Sequence, residues 1–111
     1  MPPRSRRPVP PFLTKRARVL VALAADPTAR VRDLADRLGL SESSVARCVA
    51  GLVRAGYLTS RRVGQRNRYT VRARAALPDG PWSHRTVGDL LAFVGAARSA
   101  PSARGRRAGR G

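Results

Sequence analysis

The chain has 111 residues, and its 23 Lys and Arg against 6 Asp and Glu give it a formal net charge of +17 at pH 7. A charge of this size makes a polyanion the first partner to consider, whereas one Cys and one His are too few for an intrachain disulfide, a metal site or a His-based catalytic site. The longest apolar run, Val19 to Ala25, has seven residues, and about 20 are needed to cross a membrane, so a membrane-spanning helix is excluded.

Composition divides the chain into three zones. Residues 1–11 are rich in Pro and Arg, and residues 98–111 consist of Arg, Gly, Ala, Ser and Pro, so we predict that both tails are disordered. Residues 12–97 contain the periodic apolar positions and are predicted to form one domain. This middle zone keeps 15 basic and 6 acidic residues, so its net charge of +9 is independent of the tails.

The start of the chain has a superficial likeness to a secretory signal, because several arginines precede an apolar stretch. However, Lys15, Arg16 and Arg18 lie directly before that stretch, and cleavage after it would remove the first predicted helix. We therefore expect a cytoplasmic protein that associates with the nucleoid.

Apolar periodicity predicts two helices in the first part of the domain. The first extends from about Phe12 to Ala25, where Asp26-Pro27 ends it. The second is a short helix over residues 31–38, and Gly39 is its expected left-handed C-terminal residue. The apolar side of the first helix is predicted to contain Phe12, Leu13, Ala17, Val19, Leu20, Leu23 and Ala24.

A third helix is predicted after the tight turn around Gly39. Ser41 supplies an N-cap hydroxyl, Glu42 places a negative charge in the first turn, and Gly56 ends the helix. Its apolar side repeats at i, i+3, i+4 and i+7 and contains Val45, Cys48, Val49 and Leu52, with Cys48 expected to be a small buried residue. The opposite side contains Ser43, Arg47, Ala50 and Arg54, with Ser44 near its N-terminal edge.

After Gly56 the apolar period changes from 3.6 towards 2, which predicts a β-hairpin. Residues 57–62 and 68–72 are its strands and residues 63–67 its turn. The hairpin contains more arginines than a core cover requires, namely Arg61, Arg62, Arg66, Arg68 and Arg72.

One more helix is predicted after a proline-bearing connector. Thr86 is its N-cap and Asp89 completes a capping box, and the helix ends at Gly95 or at Ala96-Ala97. Before it, Trp82 is expected to pack the connector onto the domain, and His84 is expected at the surface. The apolar face of this helix contains Val87, Leu90, Leu91 and Val94.

The order of these elements predicts a function in DNA binding. Two helices joined by a three-residue Gly turn form a helix-turn-helix, whose second helix is narrow enough to enter the major groove. Arg47 has the fork geometry that binds guanine O6 and N7, while the hydroxyls of Ser43 and Ser44 suit bases or phosphates. No Ser has a base at a recognisable spacing, so we expect no enzymatic activity.

Residues 33–45 and 52–58 resemble the winged helix-turn-helix of MarR-type and ArsR-type bacterial regulators, and residues 64–69 resemble the wing of the same group. The resemblance covers roughly residues 12–73, and the Arg- and Ala-rich composition is typical of a high-GC actinobacterial source. It implies that Ser43, Ser44 and Arg47 lie on the recognition helix. It also implies a wing that reaches the minor groove or phosphates through Gln65, Arg66 and Arg68.

This chain differs from those relatives in two respects. It lacks the paired Cys or His/Asp metal sites of many ArsR-type sensors, so no metal or other cofactor is carried over. It also lacks the long flanking helices between which MarR-type proteins hold small ligands, so a small-molecule effector stays undefined. The predicted DNA contacts are Ser41, Ser43, Ser44, Arg47, Arg54, Arg61, Arg62, Gln65, Arg66 and Arg68.

The sequence therefore predicts a mainly α protein with a small β-hairpin, an α+β winged helix-turn-helix with an extra C-terminal helix and disordered termini. Its predicted function is sequence-specific binding of double-stranded DNA as a small transcriptional regulator, with homodimerisation through terminal helices. Two alternatives remain open at this point. One is a protein–protein adaptor whose basic face binds an acidic partner, and the other is an architectural DNA binder without a defined operator.

Overall fold

A computed structural model describes residues 10–95. Within this range the fold is α+β, with four α-helices and one two-stranded antiparallel hairpin, as predicted for a winged helix. The predicted disordered tails, residues 1–11 and 98–111, lie outside the described residues except for residues 10 and 11. The elements in chain order are α1 (Lys15–Ala25), α2 (Val31–Leu38), α3 (Glu42–Arg54), β1 (Leu58–Val63), β2 (Arg66–Val71), a 3₁₀ turn (Gly80–Trp82) and α4 (Val87–Phe93).

The first helix begins later than the apolar pattern predicted. Thr14 is its N-cap, and the Thr14 hydroxyl accepts a hydrogen bond from the Ala17 N–H at 3.0 Å. Phe12 therefore lies outside α1, where its side chain is 96% exposed, and its predicted place on the buried stripe is wrong. The physical reason is that a hydroxyl in the N-cap position satisfies a free backbone N–H of the first turn, which an apolar side chain cannot do.

The helix-turn-helix has the predicted boundaries. Gly39 ends α2 in the left-handed conformation at φ 67°, and the Leu40 N–H returns to the Ala35 carbonyl at 3.0 Å. Ser41 then caps α3 by accepting a hydrogen bond from the Ser44 N–H at 3.0 Å. Only the two residues Gly39 and Leu40 separate the last turn of α2 from this cap, so the angle between the helices is set locally.

The core lies where α1, α2 and α3 meet under the start of β1. On α3 it takes Val45, Val49 and Leu52, all predicted to face inward, whereas Cys48 is only half-buried rather than fully buried as expected. The largest fully buried side chains come from the four helices and β1, and they are Leu23, Leu34, Leu58, Val19, Val45 and Val87.

The hairpin turn is shorter than predicted, because pairing continues to Val63 opposite Arg66 and leaves only Gly64 and Gln65 between the strands. Gly64 adopts φ 62°, a conformation that a two-residue hairpin loop favours. The free edge of β2 is tied to the loop between α1 and α2, where the Tyr69 N–H donates to the Pro27 carbonyl at 2.9 Å.

A side chain adds a second tie at the same place. Arg66 Nη1 donates to the Thr28 carbonyl at 3.1 Å. A two-stranded hairpin alone is marginally stable. These two bonds and the burial of Leu58 hold the hairpin, residues 58–71 and called the wing below, in one orientation relative to α3.

The last helix has the predicted capping box. Thr86 Oγ1 accepts from the Asp89 N–H at 3.1 Å, and the Asp89 carboxylate accepts from the Thr86 N–H at 2.9 Å. Val87 and Leu91 are buried, but Leu90 is only half-buried and Val94 is 37% exposed, so the predicted apolar face is covered only in part.

The connector before α4 departs from the prediction. Trp82 was expected to pack onto the domain, but it lies in the 3₁₀ turn with 59% of its surface exposed, so that prediction is wrong. The connector is instead held by backbone hydrogen bonds, including Val87 N–H to the Ala75 carbonyl at 2.8 Å. His84 is exposed, as predicted.

Two carboxylates at helix starts are more acidic than usual. The backbone and side-chain hydrogen bonds from Arg30 lower the pKa of Asp33 in α2. The backbone and side-chain hydrogen bonds of Thr86 lower the pKa of Asp89 in α4. In each case the bonds favour the charged carboxylate, which also interacts favourably with the N-terminal end of the helix dipole.

Replacement of Leu52 by Ala should destabilise the domain by about 2 to 5 kcal/mol, because Leu52 is 3% exposed and its loss leaves a cavity between α3 and β1. Val53→Ala is the matched control, since Val53 is 39% exposed and should cost less than about 1 kcal/mol. Urea unfolding followed by circular dichroism measures both. Equal losses would contradict the assignment of the inward face of α3.

Replacement of Arg66 by Ala should loosen the wing, because it removes the bond to the Thr28 carbonyl. We expect the Tyr69 amide to exchange its hydrogen roughly two- to tenfold faster, the range that one net hydrogen bond supports. Arg72→Ala removes the same charge from an exposed side chain just after β2 without removing that bond and serves as the control. Unchanged exchange at Tyr69 in Arg66→Ala would show that the bond does not hold the wing.

Acid should weaken the attachment of α4. A lowered pKa in the folded state means that the contribution of Asp89 is present above about pH 4 and is lost as the pH falls through the folded-state pKa. The stability difference between the wild type and Asp89→Asn should therefore shrink on acidification. Asp79→Asn, on an exposed carboxylate with no hydrogen bond in residues 10–95, should show no such trend in a pH series of thermal unfolding.

Candidate nucleic-acid interface

The exposed side of α3 is the first part of the candidate interface. Ser43, Arg47, Ala50 and Arg54 are exposed along it, as predicted, while Val45, Val49 and Leu52 on the other side are buried. The 13 residues of α3 give a rod about 20 Å long. A rod with one free polar side fits the major groove, which is about 12 Å wide.

The three serines at the start of α3 have different roles. Ser41 Oγ accepts the capping bond from the Ser44 N–H and lies 3.2 Å from Ser43 Oγ. Ser41 therefore positions the first turn, and Ser43 presents an exposed hydroxyl beside it. Ser44 is half-buried, so its hydroxyl is less accessible than that of Ser43.

The wing brings two arginines to one face. Arg61 on β1 pairs directly with Arg68 on β2, and both side chains are exposed. Like charges directly opposite each other destabilise an antiparallel pair. The sequence of β1 and β2 contains no acidic residue that would neutralise them. The facing arginines therefore reduce the stability of the hairpin, and an anion bound against them would relieve this repulsion.

The other predicted wing residues lie beside the loop between α1 and α2, to which the hairpin is hydrogen-bonded. Arg62, Gln65 and Arg66 line a cavity of about 170 Å³ together with residues 28–31, Asn67 and Tyr69. Arg66 uses one of its five N–H groups on the Thr28 carbonyl, so the rest of the guanidinium stays available for a phosphate. Of the ten predicted contacts, four lie on α3, Ser41 is its N-cap and five lie on the hairpin, and their contact with DNA stays a prediction.

A second basic region was not predicted. A cleft of about 410 Å³ runs between the start of α1 and the first half of α3, and its lining consists of Thr14, Lys15, Arg16, Ser44, Arg47 and Cys48. In the sequence, Lys15 and Arg16 were noted only as charged residues directly before the apolar stretch, and they were not among the predicted DNA contacts. Only the packing of α1 against α3 shows that these cations lie beside Arg47.

Two further findings concern other classes of site. Within residues 10–95, no group of three or more His, Cys, Asp or Glu side chains is placed to hold a metal ion. No helix in the same range has the length and apolar character that crossing a membrane requires.

Comparison with known proteins agrees with the helix-turn-helix. Residues 13–62 match the family model described as the IclR helix-turn-helix domain. No curated protein sequence matches the chain. The matched region contains α1, α2, α3 and most of β1, so it includes the predicted recognition helix α3 and stops before β2.

Among solved structures the chain is similar to the PcaV transcriptional regulator from Streptomyces coelicolor. In the structure of that protein with its natural ligand, the identity is 28% over 78% of this chain and 64% of that chain, with a TM-score of 0.47. A second PcaV structure gives 30% identity over 72% and 57% of the two chains, with a TM-score of 0.45. This chain spans less than two thirds of PcaV.

The match to the family model supports the coarser prediction. Residues 13–62 form a helix-turn-helix domain similar to the DNA-binding domains of transcriptional regulators. The finer assignment to the MarR-type or ArsR-type group stays a prediction, because the matching family model is of the IclR type.

Proposed function

We propose that this protein binds double-stranded DNA in a sequence-specific manner and acts as a small transcriptional regulator on the bacterial chromosome. The observation that carries the proposal is the free polar side of α3, where Ser43 and Arg47 are exposed on a helix whose other side is fixed in the core. A helix presented in this way can lie in the major groove without rearrangement of the domain.

Sequence choice would come from a few side chains on α3. Arg47 lies near the middle of the helix, and its guanidinium can donate two hydrogen bonds to guanine O6 and N7. The exposed hydroxyl of Ser43 is one turn away and suits a base edge or a phosphate. Arg54 lies at the other end of the same stripe, in the last turn, where a phosphate contact is more suitable.

Affinity would come largely from phosphate neutralisation. The wing arginines carry positive charge without acidic neighbours in the hairpin. Arg61 and Arg68 face each other, and their mutual repulsion would be relieved by the negative charge of a phosphate or of a narrow minor groove placed against them. The same face would also attract an acidic protein, but the exposed base-reading stripe of α3 favours DNA.

The proposed regulator acts as a homodimer. The support is on α4, where Phe93 is 88% exposed and Val94 is 37% exposed at the end of an otherwise docked helix. A second copy packed on this end would remove both side chains from water. The two α3 helices would then lie about 34 to 36 Å apart on an inverted-repeat operator.

The test is selection of binding sites from a random duplex library, with the wild type and Arg47→Ala. We expect the wild type to select a defined motif, arranged as an inverted repeat. Arg47→Ala should lose preference at one base position, at a cost of about 1 to 3 kcal/mol. Arg85→Ala is the control, because Arg85 is exposed, lies just before α4 and is not one of the predicted DNA contacts.

Three results would contradict the proposal in different ways. Saturable binding without any selected motif would indicate an architectural DNA binder. Absence of saturable binding would indicate a protein-binding module. A motif that is unchanged in Arg47→Ala would show that α3 does not read bases through this residue.

A further inference from the structure

We propose that Lys15 and Arg16 at the start of α1, together with the adjacent face of α3, form a second phosphate-binding site for the DNA backbone. This inference rests on the proposed function and extends it. It adds DNA contacts from the start of α1 to those proposed for α3 and the hairpin.

The cleft between α1 and α3 carries the argument. Three of its six lining residues are cationic, Lys15, Arg16 and Arg47, and none is acidic. The remaining three include the hydroxyls of Thr14 and Ser44. Cations with hydroxyl donors around an open cleft of about 410 Å³ match a phosphodiester segment, which offers charged oxygens and no apolar surface.

The cations of this cleft are not used by the fold. The ion pairs within residues 10–95 join Arg30 to Asp33, Arg37 to Asp26 and Arg85 to Asp89, and none includes a cleft residue. The first turn of α1 contains no acidic residue. Lys15 and Arg16 are exposed, so their charges face solvent, and within residues 10–95 neither forms an ion pair with a carboxylate.

The position of the cleft relative to the wing gives it a separate role. The wing is tied to Pro27 and Thr28, just after the C-terminal end of α1, whereas Lys15 and Arg16 are at its N-terminal end. Because α1 has 11 residues, its two ends are about 16 Å apart. This separation is comparable with the major groove, about 12 Å wide and bordered by phosphates on both sides. With α3 in the groove, the wing would bind one border and the cleft the other.

The experiment measures DNA affinity as a function of salt with a fluorescently labelled duplex of mixed sequence, by anisotropy between about 50 and 200 mM salt. Lys15→Ala/Arg16→Ala should reduce the slope of log K against log salt by about 1.8, since each lost phosphate contact removes about 0.9. At about 0.1 M salt the affinity should fall roughly 10- to 60-fold.

Two control variants separate a local contact from a general loss of charge. Arg74→Ala/Arg85→Ala removes the same charge from exposed residues that do not line the cleft, and its slope should stay that of the wild type. Lys15→Arg/Arg16→Lys keeps both charges in place and should restore the affinity. Thermal unfolding of each variant checks that the fold is retained, which we expect because the substituted side chains are exposed.

The outcomes are distinguishable. If the two double-Ala variants lose the same slope and affinity, or if neither loses any, the cleft is not a phosphate site while the proposed function stands. If the wild type itself does not bind the duplex, the proposed function fails and this inference fails with it. A slope change confined to Lys15→Ala/Arg16→Ala, reversed by the charge-preserving variant, establishes the site.

Discussion

The docking of the apolar side of α3 onto α1 and α2 is the interaction on which the rest of the structure depends. Val45 is fully buried and Leu52 is 3% exposed, so the helix cannot rotate about its axis without exposing one of them. That constraint fixes which side of α3 faces water. Arg47 is exposed because burial of Val45 and Val49 turns the opposite side of the helix to solvent. The candidate interface is therefore a direct consequence of the core.

The wing shows the opposite relation between stability and function. Its facing arginines make the isolated hairpin less stable, and its outer residues, such as Val63, bury little. The hairpin keeps its place through its first residue, Leu58, and through bonds from β2 to the loop between α1 and α2. The stabilising contacts are thus concentrated at the base and on one edge, which leaves the charged face free for a partner.

The parts of the fold that could be predicted from sequence are those decided by local chemistry. The end of α2 at Gly39, the cap at Ser41 and the capping box of Thr86 each depend on residues within one helical turn, and all three were predicted correctly. The predicted start of α1 at Phe12 was wrong because apolar periodicity does not locate a cap, whereas the hydroxyl of Thr14 is a local signal that does.

Features decided by tertiary contacts could not be predicted in the same way. Whether Trp82 packs on the domain depends on the path of the connector, and the backbone bonds of residues near Val87 leave the indole exposed. The meeting of Lys15 and Arg16 with Arg47 is of the same kind, because residues about 30 positions apart become neighbours only when α1 crosses α3. Sequence patterns identified each helix but not the surface that two helices form together.

The charge of the ordered domain also limits how specificity can arise. Cations at the wing, on α3 and at the start of α1 attract the phosphates of any duplex, so they raise affinity for operator and non-operator DNA alike. Discrimination must come from the few side chains of α3 that reach base edges, and one such helix contacts too few base pairs for a high specificity ratio. A second copy doubles the base contacts, which strengthen binding to the operator. Its phosphate contacts strengthen binding to operator and non-operator DNA equally, so the ratio of the two affinities rises. For the proposed regulator, the strongly basic character of the domain therefore favours a two-fold arrangement, and the exposed Phe93 and Val94 at the end of α4 support the proposed homodimer.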